Sequence, residues 1–387
     1  MNNSMHYTLS IVPEDLVFFR GSASFDAGSD NYATSILPPA PSVIYGALQS
    51  ISYNDSGINT GNIWPDPSMH ISTITLYVQK CNQQIFLFPL PADLIAGRID
   101  NEIKVVNHLK IDEFSNYGVI SENGPILIPD KDPLEFDAYR KVNRTELYID
   151  QDGMRQYLVG LYPEQVYNIS DLSAKETRTG LGREIGKRIA EEGKLYRIEL
   201  IRTKTGGIFN AESSLAFHIR MNSSHPSYKP LVNHGEINIR LGGERKTATV
   251  RNLSFGAIHT INDRLEKGDF IKAVLTTPFV PKSDPFIEGY WNSIGCTLMT
   301  MCSDKELTIS GWDMINMRPR QSYKAVSGGA IYFLKIDNIN TFKSMTAYHK
   351  TGNAQIEAAY MPDTNHANHY LQGFGQYFFA KNILSKA

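Results

Sequence analysis

Apolar and polar positions alternate at the start of the chain, and "YTLSIVPEDLVFF", Tyr7 to Phe19, reads as a first strand. It ends at Arg20-Gly21. The polar stretch that follows, running to Pro41, is long for a connection inside a compact domain, a length typical of functional or disordered loops. Pro38, Pro39 and Pro41 close it. Ser42 then stands where a helix would begin, with Val43, Ile44, Ala47, Leu48 and Ile51 on one apolar face. "STITLYVQK" and "QQIFLFPL" read as two strands of a hairpin turning at Cys81 and Asn82.

From about Asp93 to Val142 periodicity is weak and Asp, Asn, Gly and Pro are frequent, which suggests an irregular insertion. A short helix is expected from Gly153 to Leu161, capped by Asp150 or Asp152. "LYRIELIRT" is an alternating strand ending near Thr203. Strand, helix, strand, strand, helix, strand is the β-α-β-β-α-β order of a ferredoxin-like or RNA-recognition fold. Gly206 and Gly207 offer a boundary. Beyond it come "LAFHIRM", a hairpin turning at Gly242-Gly243, a short capped helix at "INDRLEKG", and strands at "DFIKAVLTTPF", "CTLMTMCS", "KELTISGWDM" and "AIYFLKI", with "GFGQYFFAKN" at the end. The expectation is an α+β protein of two ferredoxin-like domains with long loop insertions, one over 1–207 with its insertion at 93–142, the other over 208–387.

Composition adds bounds to this picture. A chain of 387 residues suits two domains, and 42% hydrophobic with 20% charged residues is an ordinary globular balance. No run approaches the ~20 apolar residues of a membrane span, and "MNNSMHYTLS" lacks a signal peptide's cationic head and apolar run, so a cytoplasmic address is expected. Cys81, Cys296 and Cys302 form neither a CxxC pair nor a disulfide framework. A net charge of −2 argues against binding nucleic acid by bulk charge and confines any such surface to a local patch.

Three glycine-associated basic stretches could make that patch. In "RTGLGREIGKRIAEEGKLY" the spacing of Gly180 and Gly186 is one residue too long for a P-loop, Arg188 replaces its hydroxyl, and Ile185 breaks a dinucleotide fingerprint. What remains is a cationic loop, with Arg178, Thr179, Arg183 and Lys187, able to follow a phosphodiester backbone; a solvated charged hairpin is the plainer alternative. The second stretch is Gly242, Gly243, Arg245 and Lys246, which also fits a common hairpin. In the third, Arg318, Arg320 and Lys324 surround Tyr323, a mixture suited to single-stranded RNA because bases stack on rings while cations meet phosphates. Catalytic motifs are thin: there is no GxSxG and no HExxH, and His366 and His369 lack a third ligand, so neither metal nor cofactor is expected.

Taken together these motifs are more specific. "LVFFRGSASFDAGSDNYATSILPPAPSVIYGAL" closely resembles the start of the third subunit of Cmr complexes, the type III-B CRISPR RNA-guided effectors. The Arg-Thr-Gly hairpin running to Glu-Gly-x-Leu-Tyr, the Gly-Trp-Asp segment with its Arg-Pro, and Gly373 to Gly375 are similar to that family as well. The resemblance implies the RAMP superfamily, ferredoxin-like domains, and a non-catalytic subunit that grips the 5′ tag of the guide RNA. It also implies contacts with the large polymerase-like subunit and the first backbone subunits. On this reading Arg20, Asp26 and Gly28 in the first loop, and Ser42 and Tyr45 at the helix start, join the three basic stretches as RNA contacts. Two other readings stay open: a guide-processing endoribonuclease, for which the first helix offers Tyr45 but no histidine, and a scaffold whose loops meet only protein.

Overall fold

The computed structural model describes residues 4–21, 32–56, 65–80, 83–100, 102–112, 126–130, 140–142, 144–183, 190–205, 213–232, 235–253, 265–282, 284–304, 306–313, 318–347, 354–361 and 368–382. In chain order the main elements of the first part are β1 (Met5–Pro13), α1 (Pro41–Ser56), β2 (Met69–Lys80), β3 (Gln83–Pro89), β4 (Leu147–Asp150), α2 (Gln151–Leu158), β5 (Ala174–Arg183), β6 (Ala190–Arg202), β7 (Ser213–Ser223), α3 (Lys229–Val232), β8 (Glu236–Arg240) and β9 (Thr247–Asn252). The second part has β10 (Phe270–Leu275), α4 (Asp284–Ser293), β11 (Cys296–Cys302), β12 (Glu306–Ile309), β13 (Tyr323–Val326), β14 (Ile331–Ile336), α5 (Ile339–Ala347) and β15 (Gln376–Lys381). The protein is a mixed α+β structure, mostly sheet.

The centre of the first sheet runs β9–β1–β7–β2, every neighbour antiparallel. Helix α1 connects β1 to β2, and α3 lies between β7 and β8 in the chain. The centre of the second sheet runs β15–β10–β14–β11, again antiparallel throughout, with α4 between β10 and β11 and α5 between β14 and β15. In both, the strands lie in the order fourth, first, third, second, and a long insertion separates the second strand from the third.

Alternation along the strands explains why the two sheets meet. On β1, Tyr7, Leu9 and Ile11 face the α1 core with Ile44, Leu48 and Ile51; on β14, Tyr332, Leu334 and Ile336 face α4 and α5. The opposite faces pack together: Tyr77, Phe86, Phe88 and Ala216 meet Val274, Ile331, Phe333 and Phe378. Phe88 and Phe378 touch edge to face, with ring centroids 5.8 Å apart. Both broad sheet faces are therefore filled with protein.

Several expected elements form as read. The α1 face is buried at Ile44, Ala47, Leu48 and Ile51, and β2 pairs with β3; the turn at Cys81 and Asn82 lies outside the described residues, as do Ile261 to Arg264 of the short helix expected at "INDRLEKG". Asp150, not Asp152, caps α2, accepting from the Gly153 amide at 2.7 Å. Other expectations are corrected. Tyr7 to Phe19 is not one strand: after Pro13 the chain leaves the first sheet, and Leu16–Val17 pairs with Arg202 and Ile201 of β6. "LYRIELIRT" is not a strand of the first sheet but part of a separate one, β5–β6–(Leu16–Val17) with Tyr32–Ala33 alongside β6. The fourth place it was expected to hold, beside β1, belongs to β9, and β7 lies third, between β1 and β2. A division at residue 207 thus falls inside the first sheet, whose strands continue to Asn252. The 93–142 insertion is not irregular: Leu94–Ile99, Glu102–Asp112, Ile126–Pro129 and Arg140–Lys141 form a four-stranded sheet. Leu94–Ile99 mixes buried, half-buried and exposed positions without a two-residue repeat, which blurred its pattern.

Candidate nucleic-acid interface

The small sheet gathers three of the stretches singled out in sequence. Arg20 bridges to Ser35, and the Ile36 amide donates to the Phe19 carbonyl at 2.9 Å, so the ends of the first loop are pinned together. Gly242 bridges to Phe18, and the Gly243 amide donates to the Phe18 carbonyl at 2.8 Å. Gly242 has φ +73°, and a Cβ there would lie 2.4 Å from the Phe18 oxygen; only glycine lets the β8–β9 hairpin come this close. Glu244 and Arg245 turn with positive φ, leaving Arg245 exposed and Lys246 half-buried. On the β5–β6 hairpin the Tyr196 ring lies over Gly180, where a Cβ would fall 2.2 Å from Tyr196 Cζ.

Among its described residues the charge on this hairpin is largely matched. Glu176 sits between Arg178, at 2.9 Å, and Arg202, at 2.5 Å; Arg202 also reaches Asp15 at 3.0 Å. Hydrogen bonds from Arg202 and Arg178 hold the Glu176 carboxyl below its usual range. On the other face Thr179 is exposed opposite the exposed Arg197, and Lys175 reaches the mostly buried Glu199 at 3.3 Å. Arg197 was missed in sequence, although the alternation of "LYRIEL" places it opposite in parity to the buried Ile198 and Leu200.

A second grouping joins distant parts of the chain. A cavity of about 370 Å³ is lined by Ser42 of α1, by Gly311, Arg318, Arg320 and Tyr323 of the arm between β11 and β14, and by His369 and Gln372. Asp313 pairs with Arg318, and the Arg320 amide donates to the Gly311 carbonyl at 2.8 Å, so Arg318 and Arg320 fall on one side of their strand. His369 packs edge-on against Tyr323 at 4.9 Å and against Phe374 at 5.0 Å, which fixes the tyrosine ring at the cavity wall. The first turn of α1 has no acidic residue, so its N-terminal dipole is not offset by a carboxylate there. Two guanidinium groups, an aromatic ring and a helix start around one cavity suit an anion attached to a planar base. His369 and Gln372 had no sequence signal tying them to Arg318; only the fold makes them neighbours.

Not every expected contact is available. Tyr45 is corrected: its side chain is fully buried in the α1 core, and its hydroxyl donates to the Asp66 carbonyl at 2.7 Å. Its ring lies off the expected apolar stripe, and the bond from its hydroxyl to a backbone carbonyl satisfies its polar end in the core. Lys324 is exposed but paired with Glu306 across β12–β13. Asp26, Gly28 and Lys187 lie outside the described residues, and of Arg183 only the backbone, in β5, is described.

Residues 9–377 match the sequence family described as CRISPR-associated protein (Cas_Cmr3). The chain belongs to that family, in agreement with the resemblance carried by its loop motifs. Among curated protein sequences none matches it. Among solved structures it is similar to a chain of the type III-B Cmr-beta complex bound to cognate target RNA, at 15% identity and a TM-score of 0.44, covering 89% of this chain and 88% of that one. A chain of the Csm3-Csm4 subcomplex of the type III-A interference complex is similar at 14% identity and a TM-score of 0.35, over 85% and 94%. A CRISPR protein from Archaeoglobus fulgidus is similar at 10% identity and 0.27, over 86% and 93%.

Proposed function

We propose that the protein is the guide-gripping subunit of a type III-B CRISPR effector complex, holding the 5′ tag of the guide RNA as splayed single strand and cutting nothing itself. Its partners on this reading are the guide RNA, the large polymerase-like subunit and the backbone subunits. Each sheet with its two helices is read as a ferredoxin-like domain, a reading supported by the shared strand order. Family membership supports the place in the complex. The observation that carries the RNA reading is the cavity bringing Ser42 together with Arg318, Arg320 and Tyr323. Because the two broad sheet faces are packed on one another, RNA is left the loops and this cavity.

The test is the paired change Arg318→Glu/Arg320→Glu in the assembled complex. Guide-RNA affinity falls at least tenfold, and removing two phosphate contacts lowers the slope of log K against log salt by about 1.4. Unchanged affinity and slope overturn the reading. A specific observation favours a second one, guide processing: His369 and Tyr323 share the cavity wall, a pairing that could move protons in RNA cleavage. Metal-independent cleavage of repeat RNA by the purified chain, abolished by His369→Ala, would select that alternative; intact RNA selects the gripping role.

A further inference from the structure

Pro91 to Leu94 lead from β3 into the inserted sheet, and the second sheet holds them tightly. The Ala92 amide donates to the Gly329 carbonyl at 2.8 Å, and Cys302 Sγ donates to the Ala92 carbonyl at 3.3 Å. Arg144 donates to the Pro91 carbonyl at 3.0 Å and to the Leu94 carbonyl, while its Nε donates to Asp304 at 2.8 Å. Asp93 and Lys272 are both fully buried, 2.7 Å apart, and Tyr157 donates to the Asp93 carboxylate with both oxygens 2.9 Å away. The Lys272 ammonium lies over the Phe333 and Tyr157 rings, 5.4 and 5.6 Å from their centroids.

The location of these contacts gives them meaning. Cys302 ends β11 and Gly329 precedes β14, so they are the two roots of the arm that carries Arg318, Arg320 and Tyr323. The residues that launch the inserted sheet therefore grip both roots of that arm. Gly329 has φ +88°, and a Cβ there would lie 2.7 Å from the Leu90 carbonyl, so this close approach depends on glycine. A buried ion pair adds little net stability over apolar packing of the same shape, yet splitting it strands a charge, so it enforces one arrangement over its neighbours.

We propose that the Asp93–Lys272–Tyr157 cluster is a positioning device that registers the inserted sheet and the arm against each other, so that displacement of one is transmitted to the other. Its function is mechanical and does not depend on what the arm binds. Two changes test it by amide hydrogen exchange on the full chain: Asp93→Asn, and the triple change Asp93→Leu/Tyr157→Phe/Lys272→Met, which removes all three polar ends and retains folding if the single change does not. The expected result is exchange at least tenfold faster, together, in Leu94–Ile99 with Glu102–Leu109 and in Glu306–Ile309 with Tyr323–Val326, while Met5–Pro13 and Ser213–Ser223 keep their wild-type rates. Faster exchange in only one of the two regions, in neither, or uniformly along the chain overturns the proposal.

Discussion

The two sheets share a strand order and differ in what each adds to it. Between its second and third central strands the amino-terminal sheet carries residues 81–212, which build the inserted sheet, α2 and the β5–β6 hairpin; the carboxyl-terminal sheet carries only 303–330, the arm. Their meeting faces differ too. The first presents Ser10, Tyr77 and His218 beside its aromatics, whereas the second is apolar at Val274, Ile331, Phe333 and Phe378 around one buried lysine. The difference teaches that one strand order can be used twice, with its faces closed against each other, while the connections between its second and third strands vary. Long insertions are tolerated there because loop-closure entropy grows slowly with length.

The largest way to break this arrangement is at the shared face. Phe333→Ala removes a fully buried ring from the packing between the sheets and lowers stability by about 3–5 kcal/mol, read from denaturant unfolding. A smaller stability loss with unchanged cooperativity would show that the sheets barely depend on each other. Next comes Gly242→Val, which strains only the amino-terminal side. Its left-handed backbone alone costs roughly 1–3 kcal/mol, and the contact with Phe18 adds to it. The expected reading is faster proteolysis around the first loop, with the Arg318 arm undisturbed.

The smallest effect sharpens the contrast in face polarity. Burial pushes His218 down to about 3, with Arg220 adding to the shift, from an ordinary value of 6.5. The folded value is depressed, so below about pH 6.5 the unfolded chain binds the proton first; the contribution is complete above that pH and is lost as pH falls toward 3. His218→Gln therefore flattens the acid limb of the Tm–pH curve. The flattening is partial, because His70 and His108 are also lowered by burial. An unaltered limb would mean that His218 does not titrate in unfolding.

Much of the local structure was legible because it is written in short-range periodicity. The α1 stripe, the β2–β3 hairpin and the Asp150 cap follow from residues a few positions apart, and the glycines at 180 and 242 stand where a ring and a backbone come close. Tyr45 shows the limit of a helix-stripe reading: it lies outside the stripe of Val43, Ile44, Ala47, Leu48 and Ile51, yet the fold covers that side of α1 as well and buries its side chain. The inserted sheet shows the opposite limit, where partly exposed strands lose the alternation that marks them.

By itself the sequence determined the α+β class, the family resemblance, most of the central strands, helices α1 and α2, and which stretches carry cations, since these depend on residue type and near-neighbour spacing. Tertiary structure alone decided that β7 and β9 take the third and fourth places of the first sheet, that Lys272 meets Asp93, and that Ser42, Arg318 and Arg320 line one cavity. Those pairings join residues far apart in the chain, and they are chosen by which complete set of faces can be buried at once, a condition no local window contains.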